Sequence, residues 1–388
     1  MQKQVLFFLF LIFLISCQNT NKENSNQVFL NSVSDQLKVF AENIPDEKVP
    51  RSFDQESGYQ MVGKNDWTSG FPAGTFWNLY EITGDDYLKE AAIKNTLKLE
   101  GIQFNSGTHD LGFMVYCSYG NAYRLTGNTD YKDVVIQASE TLITRFNPVV
   151  GSIKSWDWSD KWQFPVIVDN MMNLEMLFWA TKETGDSKFK DIAIAHANTT
   201  LKNHYRDDMS SVHVVDYDTI TGDVLLKQTH QGLNDDSSWG RGQAWGLYGF
   251  TLCFRETEYP KYLDAAERIA DYIISNLPAD YVSYWDFSDP AIPETFRDAS
   301  AAAITASALF ELSQYSQKGK KYLEIANKIT DSLSSEKYRA KQGENGGFIL
   351  MHSVGNKPGN SEIDVAMNYA DYYYVEALKR KFELLNKE

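Results

Sequence analysis

The chain has 388 residues, of which 43% are hydrophobic and 14% aromatic, and its formal net charge is −15. This length is ample for a large buried core. The acidic balance argues against nucleic acid as a partner, because proteins bind nucleic acids through basic surfaces. The nine tryptophans favour a sugar-binding surface, although core packing must account for some of them.

The first 17 residues indicate a secretory signal that is not part of the fold. A short polar start precedes a run from Val5 to Ile15 that is almost wholly apolar and too short to span a membrane comfortably. The ending Leu-Ile-Ser-Cys resembles the processing box of bacterial lipoproteins, which implies cleavage before Cys17 and lipid attachment to its sulfur. We therefore predict a lipoprotein signal peptide over 1–17, a tether over 18–27 and a single domain over 28–388.

This N-terminus predicts a protein that is exported and lipid-anchored to the cell envelope, facing the periplasm or the cell surface. A plain cleaved signal with an incidental cysteine is the alternative, and the choice between inner and outer membrane stays open. The other two cysteines, Cys117 and Cys253, lie inside apolar runs, so we expect small buried hydrophobic residues and no disulfide framework.

A short unit recurs along the chain. It places Gly84, Gly127 and Gly185 after an apolar run, followed at once by Asp or Asn and then by a Tyr or Phe in the next helical run. Weaker copies follow Thr257 and Gln317. Glycine supplies the left-handed residue that ends a helix, and Asp or Asn caps the next one. Each copy therefore predicts an antiparallel pair of helices.

The helical period predicts twelve helices in all. We expect them over 28–43, 72–82, 86–100, 109–125, 130–146, 168–183, 187–203, 239–257, 260–276, 298–316, 320–335 and 364–386. Twelve helices in six hairpins predict an all-α toroid, an (α/α)6 barrel in which inner and outer helices alternate. An open superhelical array of the same repeats is the alternative.

Five long connections favour the closed barrel. They cover 51–71, 147–167, 204–238, 277–297 and 336–363. Each precedes an expected inner helix, so all five should gather at one mouth of the ring. Within them, the alternation from Val212 to Tyr217 predicts a short strand.

Two carboxylates stand at the starts of expected inner helices. Asp110 follows His109, and Asp169 precedes Asn170 after an apolar run. A single Asp in such a place usually caps the helix. Two of them near several tryptophans favour acid–base chemistry on a sugar. The sequence has no HExxH motif, paired CxxC, phosphate-binding loop, dinucleotide fingerprint or GxSxG elbow, so we predict no metal and no organic cofactor.

Four stretches carry a specific resemblance. They are Trp67-Thr68-Ser69-Gly70-Phe71-Pro72-Ala73-Gly74, His109-Asp110-Leu111-Gly112-Phe113, Asp169-Asn170-Met171-Met172-Asn173-Leu174 and Asp236-Ser237-Ser238-Trp239-Gly240-Arg241-Gly242-Gln243-Ala244-Trp245-Gly246. Together with the segment from Asn356 to Asp364, they resemble the unsaturated glucuronyl hydrolases of glycoside hydrolase family 88, in order and over nearly the whole chain after the signal. The resemblance implies an (α/α)6 barrel and a 4,5-unsaturated glucuronyl residue, at the non-reducing end of a lyase-generated oligosaccharide, as the group removed.

The resemblance also assigns roles to residues. Asp169 matches the general acid and base, and Asp110 matches the second essential carboxylate. Whether Asp110 stabilises positive charge, orients sugar hydroxyls or acts covalently stays open. Positions that contact the sugar are matched by His109, Trp156, His213, Thr229, Gln231, Arg241, Trp245 and Ser361. The implied reaction is hydration of the C4=C5 double bond, in which apolar neighbours keep Asp169 protonated until it donates to C4. Arg241 is the candidate for the substrate carboxylate.

Simpler structural roles are also possible for several of these residues. Arg241 could pair with Asp235 or Asp236, and His213 could be a core histidine. We expect His196 and His204 at the surface. Packing roles are expected for Trp158, Trp162, Trp179 and Trp285, and the roles of His230 and His352 stay open.

Two other functions fit the sequence. One is an unsaturated rhamnogalacturonyl-type hydrolase, against which the intact His109-Asp110 pair argues. The other is a non-catalytic, lipid-tethered sugar-binding protein, which would not need two buried carboxylates. The parent polysaccharide, ulvan or a glycosaminoglycan, and the oligomeric state stay open.

Overall fold

The turns between paired helices follow the predicted chemistry. In the computed structural model, which describes residues 26–385, Gly84 has φ +69° and donates its N–H to the carbonyl of Tyr80 over 2.7 Å. Asp85 then accepts the N–H of Tyr87 over 3.0 Å and caps the next helix. Because a left-handed glycine ends one helix directly before the cap of the next, the two helices run antiparallel.

Twelve helices lie between residues 26 and 385. They are α1 (26–42), α2 (Phe71–Thr83), α3 (Asp86–Leu97), α4 (Asn121–Thr126), α5 (Thr129–Ile143), α6 (Leu174–Thr184), α7 (Lys188–Asn203), α8 (Gly240–Thr257), α9 (Pro260–Asn276), α10 (Ala299–Leu312), α11 (Gly319–Leu333) and α12 (Asn368–Leu385). A π-helical segment, Gly112–Gly120, leads directly into α4, and a 3-10 segment, Val168–Asn173, leads into α6. The predicted helices starting at 109 and 168 therefore have irregular first turns.

The even-numbered helices form a closed inner ring. In order, α2, the π-helical segment with α4, α6, α8, α10 and α12 each contact the next, and α12 contacts α2. The odd-numbered helices α3, α5, α7, α9 and α11 each pack behind the inner helix that precedes them. Helix α1 packs on α2, where the rings of Phe40 and Phe76 lie 6.1 Å apart. This is the (α/α)6 arrangement that the hairpin count predicts.

The long connections carry nine short strands. They are β1 (Val49–Asp54), β2 (Gly58–Val62), β3 (Phe146–Asn147), β4 (Ser152–Ile153), β5 (Pro165–Ile167), β6 (Val214–Tyr217), β7 (Val224–Gln228), β8 (Ser353–Asn356) and β9 (Ser361–Met367). They form sheets in the orders β2-β1-β9-β8, β3-β4 and β5-β6-β7, all antiparallel. The strand expected between Val212 and Tyr217 is present as β6.

The last predicted helix begins too early in the sequence-based assignment. Residues 364–367 belong to β9, which pairs with β1 through Ser52 and Met367, and α12 starts only at Asn368. The partner strand lies about 300 residues earlier in the chain, so local periodicity carries no sign of the pairing.

The signal peptide, most of the tether and Cys17 fall outside residues 26–385. Within that range, none of the helices is long and apolar enough to cross a membrane. Cys117 and Cys253 are both buried and free, as their apolar surroundings predict.

Candidate active site

A cavity of about 270 Å³ opens where the long connections meet. It is lined by Arg51, Trp67, His109, Asp110, Phe113, Trp156, Trp158, Ile167, Asp169, His230, Gln231, Asn356, Ser361 and Glu362. Of the ten residues that the resemblance assigns to the site, six are in this wall: both carboxylates, His109, Trp156, Gln231 and Ser361. The other four, His213, Thr229, Arg241 and Trp245, are not part of it.

Asp169 stands at the junction between a strand and an inner helix. Strand β5 pairs with β6, and just beyond the paired Ile167 and Val214 the N–H of Val168 bonds the carbonyl of His213 over 3.1 Å. The 3-10 segment then turns the chain inward. This turn leaves Asp169 only 8% exposed, with its Oδ2 lacking any hydrogen-bond partner within residues 26–385.

Burial determines the protonation of Asp169. Loss of water is the main reason that the pKa of this carboxyl is raised to about 7, and the nearby negative charge of Asp110 contributes to the rise. The positive charge of Arg241 and the indole N–H of Trp245 oppose the rise. Around neutral pH the group can therefore exist both as an acid and as a carboxylate, which is the property that a general acid and base requires.

The tautomer of His213 follows from its hydrogen bonds. Its Nδ1 accepts the backbone N–H groups of His230 and Gln231, over 3.1 and 3.2 Å. Burial lowers the pKa of this imidazole well below its ordinary value, so the ring is neutral and its proton resides on Nε2. That Nε2 lies 3.7 Å from Oδ2 of Asp169. His213 is thus a fixed N–H donor beside the carboxyl.

The second carboxylate is held by its own neighbours in the sequence. Thr108 donates its hydroxyl to Oδ2 of Asp110 over 2.6 Å, while Oδ1 lies 3.2 Å from Nε2 of His109. His109 is 1% exposed, and burial lowers its pKa, so it too is neutral. These short contacts orient the side chain of Asp110, which still lines the cavity.

Arg241 does not reach the cavity. Its Nη1 lies 3.3 Å from Oδ2 of Asp298 and also donates to the carbonyl of Val354, and its Nη2 donates to the carbonyl of Gly355 over 2.7 Å. The alternative pairing with Asp235 or Asp236 is therefore wrong, since the acidic partner is Asp298, the residue that caps α10. The guanidinium of Arg241 thus holds the end of β8, and only its Nε lacks a partner within residues 26–385.

Trp245 and Thr229 also act from behind the wall. Trp245 is fully buried and packs edge-on against Tyr373 at 5.3 Å. Thr229 accepts the N–H of Gly232 on its hydroxyl and donates its own N–H to Asp235, so it shapes the loop after β7. That loop presents Gln231, whose amide donates to the carbonyl of Gly355 over 3.1 Å.

Two wall residues, Arg51 and Trp158, were not predicted to line the site. Arg51 forms two hydrogen bonds with Glu362, of 2.9 and 2.7 Å, from a segment far away in the chain, and a third with the nearby Asp66. Trp158 was expected to pack inside the protein but is 60% exposed at the cavity, so that expectation is wrong. Its signal was the dense run of tryptophans from 156 to 162. Trp162 and Trp285 are buried, as predicted.

The two histidines expected at the surface are fully buried. His196 accepts the N–H of Ile153 on Nδ1 over 3.1 Å, and Nδ1 of His204 lies 3.0 Å from the carbonyl of Val212. His196 thus ties the outer helix α7 to β4, and His204, directly after α7, lies against Val212 in the connection before β6. In the part of the chain that the structure describes, no cluster of His, Cys, Asp or Glu could hold a metal ion.

A closed (α/α)6 ring with two carboxylates in an aromatic-lined mouth is the arrangement of an enzyme that acts on carbohydrates. The profile of Glycosyl Hydrolase Family 88 matches residues 40–382. The chain therefore belongs to glycoside hydrolase family 88, as its motifs predict.

Known relatives agree with this assignment. An unsaturated glucuronyl hydrolase of Formosa agariphila is 52% identical over 330 residues, which cover 84% of this chain and 82% of that protein. The crystal structure of an unsaturated glucuronyl hydrolase specific for heparin is 48% identical, with a TM-score of 0.91 over 93% of this chain and 97% of its own. A Streptococcus agalactiae unsaturated glucuronyl hydrolase variant complexed with dGlcA-GalNAc6S is 29% identical, with a TM-score of 0.79 over 91% and 90%. These structures confirm the predicted barrel.

Proposed function

We propose that this enzyme removes a 4,5-unsaturated glucuronyl residue from the non-reducing end of oligosaccharides that polysaccharide lyases release. The observation that carries the proposal is Asp169, a carboxyl whose pKa burial raises to about 7 in a cavity shared with Asp110. Lyases leave an enol ether at C4=C5, and protonation of such a bond needs an acid that is still protonated near neutral pH. Asp169 meets this requirement, and an ordinary exposed carboxyl does not.

The proposed reaction begins with transfer of the Asp169 proton to C4. Positive charge then develops on C5 and the ring oxygen, where the carboxylate of Asp110 stabilises it through space. Asp169, now ionised, takes a proton from water as the water oxygen bonds to C5. The product is a hemiketal at C5, whose ring opens and releases the remaining sugar with its hydroxyl. The reaction consumes one water molecule and needs no displacement at the anomeric carbon.

The surroundings of Asp169 explain why this carboxyl can both donate a proton and take one back. The positive charge of Arg241 and the indole N–H of Trp245 favour the ionised form of Asp169 once it has given up its proton. Burial favours the protonated form before the reaction. Burial outweighs the opposing influences and leaves the pKa at about 7, so near neutral pH neither protonation state of Asp169 is strongly disfavoured.

The C4=C5 double bond absorbs ultraviolet light, and loss of this chromophore tests the substrate class. The purified enzyme is mixed with unsaturated disaccharides prepared by lyases from heparin, chondroitin and ulvan, and the ultraviolet absorbance of the double bond is followed. We expect that absorbance to disappear with at least one of them, and heparin comes first because of the 48% identical heparin-specific relative. A loss with ulvan alone would name an algal substrate instead.

Two outcomes would contradict the proposal. Activity only on unsaturated rhamnogalacturonan oligosaccharides would show that the enzyme is an unsaturated rhamnogalacturonyl-type hydrolase. Calorimetric binding of the disaccharides without any loss of absorbance would indicate a sugar-binding protein. Mass spectrometry of the product separates hydration, which adds the mass of water, from any other route by which the chromophore could be lost.

We further propose that the enzyme is exported and anchored to the cell envelope by lipid on Cys17. The support is the Leu-Ile-Ser-Cys ending of an apolar leader. In cells fed a clickable fatty acid, the wild-type chain should take up label and sediment with membranes. Cys17→Ala should lose both properties, while Cys117→Ala, which changes a buried cysteine, should keep them. Label on the Cys17→Ala variant would refute the anchor.

A further inference from the structure

A tryptophan at the cavity mouth has no role in the reaction described above. Trp158 belongs to the connection between β4 and β5, lines the cavity and is 60% exposed. Isolated exposed apolar side chains are common and need no explanation. Trp158 is not isolated, because its ring lies 5.4 Å from Trp156, 5.6 Å from Trp162 and 5.4 Å from His230.

These rings lead outward from the carboxylates in order. His213 lies 3.7 Å from Asp169, the ring of Trp156 lies 5.9 Å from that of His213, and Trp158 follows at 5.4 Å. Exposure rises in the same direction, from the buried histidine through the half-buried Trp156 to Trp158. Trp156, Trp158 and His230 all line the cavity, so they offer aromatic faces to an oligosaccharide whose unsaturated end is at Asp169.

The loop that carries Trp158 is fixed before any sugar arrives. Asp157, its neighbour, is paired with Arg145 at 2.6 Å and with Lys154 at 2.8 Å. Arg145 also donates to the carbonyl of Lys154 over 2.8 Å, and Trp162 donates its indole N–H to Gln228 over 3.1 Å. A rigid, exposed aromatic face loses little entropy when a ligand stacks on it.

We propose that Trp158, together with His230, forms a binding subsite for the third sugar of the substrate, one unit beyond the leaving sugar that lies beside Trp156. The ligand class is the apolar face of a pyranose ring. This proposal rests on the function proposed above, because it takes the unsaturated end to be at Asp169. It makes the enzyme selective for chain length, with tetrasaccharides used better than disaccharides of the same composition.

The test compares two lengths of one substrate. Loss of the ultraviolet chromophore is measured for a lyase-generated disaccharide and tetrasaccharide with wild type, Trp158→Ala and Trp158→Phe. We expect Trp158→Ala to lower kcat/KM for the tetrasaccharide about three- to tenfold, mainly through KM, and to leave the disaccharide within about twofold. Trp158→Phe should restore most of the loss.

A matched control is Tyr259→Ala, which removes another exposed aromatic at the start of α9, on the far side from the mouth. It should leave the ratio of the two substrates unchanged. Equal losses on both substrates with Trp158→Ala, or no loss on either, would overturn the subsite. If the wild type removed the ultraviolet absorbance of neither substrate, the proposed function would fail. The subsite would then be tested separately, by comparing the calorimetric affinities of wild type and Trp158→Ala for the disaccharide and the tetrasaccharide.

Discussion

Asn173 accepts the backbone N–H of Phe113 on its side-chain oxygen, over 3.2 Å, and in doing so joins the two stretches that carry the carboxylates. Phe113 lies three residues after Asp110, and Asn173 lies four residues after Asp169. The two inner-helix starts touch at this point. This contact joins the two starts without involving either carboxylate, and we expect it to set the separation between them.

Gly112 makes this contact possible. A Cβ at this position would lie 2.6 Å from the Cα of Asn173, a backbone atom that cannot move aside. Gly112→Ala should lower the free energy of unfolding by about 1–3 kcal/mol. It should also lower kcat about 100-fold, because small displacements of reacting groups are that costly. Denaturant unfolding and the chromophore assay measure the two effects.

The control for this substitution is Gly63→Ala. A Cβ at Gly63 would meet nothing within 4 Å, and the residue has no left-handed conformation to lose. Its stability should stay within about 0.5 kcal/mol of wild type. If Gly112→Ala were as active as Gly63→Ala, the contact with Asn173 would not determine the carboxylate geometry.

Asp169→Asn should remove turnover and keep binding. Asparagine has nearly the same shape but cannot donate the proton to C4, and loss of a general acid costs about 10²- to 10⁴-fold. The chromophore assay gives the rate, and calorimetry with the same disaccharide gives the affinity. Turnover within tenfold of wild type would exclude Asp169 as the acid.

Asp371→Asn is the matched control for that substitution. Burial raises the pKa of Asp371 to about 7 as well, but this carboxylate accepts the N–H groups of Ile349 and Leu350 and does not line the cavity. The variant should be less stable and, where folded, still active. A raised pKa alone would then not define the catalytic carboxyl.

The helical frame was predictable because its signals are local. Gly84 followed by Asp85 contains a complete helix stop and helix start, and both act within four residues. Repetition of this signal at Gly127 and Gly185 allowed the hairpins to be counted. The carboxylates could be found for the same reason, since each stands where an apolar helical run begins.

The rest of the cavity wall depends on pairings that local patterns do not contain. Arg51 reaches the cavity because β1 pairs with β9, and it meets Glu362 across 311 positions of the chain. The exposure of Trp158 and the burial of His196 depend on how the connections fold over the mouth. Burial of a polar ring is decided by a partner such as the N–H of Ile153, which the sequence around His196 does not reveal.

The rate should depend on pH through Asp169. Its pKa is raised to about 7, and the reaction needs the protonated acid, so kcat should fall about tenfold for each pH unit well above 7. Burial lowers the pKa values of His109 and His213, so neither ring becomes charged near neutral pH. A pH profile of kcat on the disaccharide measures this limb. A rate that stayed level up to pH 9 would contradict it.

The charge of Arg241 should set the position of that limb. Its positive charge lowers the pKa of Asp169, so Arg241→Gln should raise this pKa and move the alkaline limb to higher pH. Arg241→Lys keeps a charge but loses the fork that holds the carbonyls of Val354 and Gly355, so it should be less active with its limb near that of wild type. The comparison tolerates partial unfolding, because the midpoint of a pH profile does not depend on how much active enzyme is present. An unmoved limb in Arg241→Gln would show that the guanidinium acts on Asp169 only by holding β8 in place.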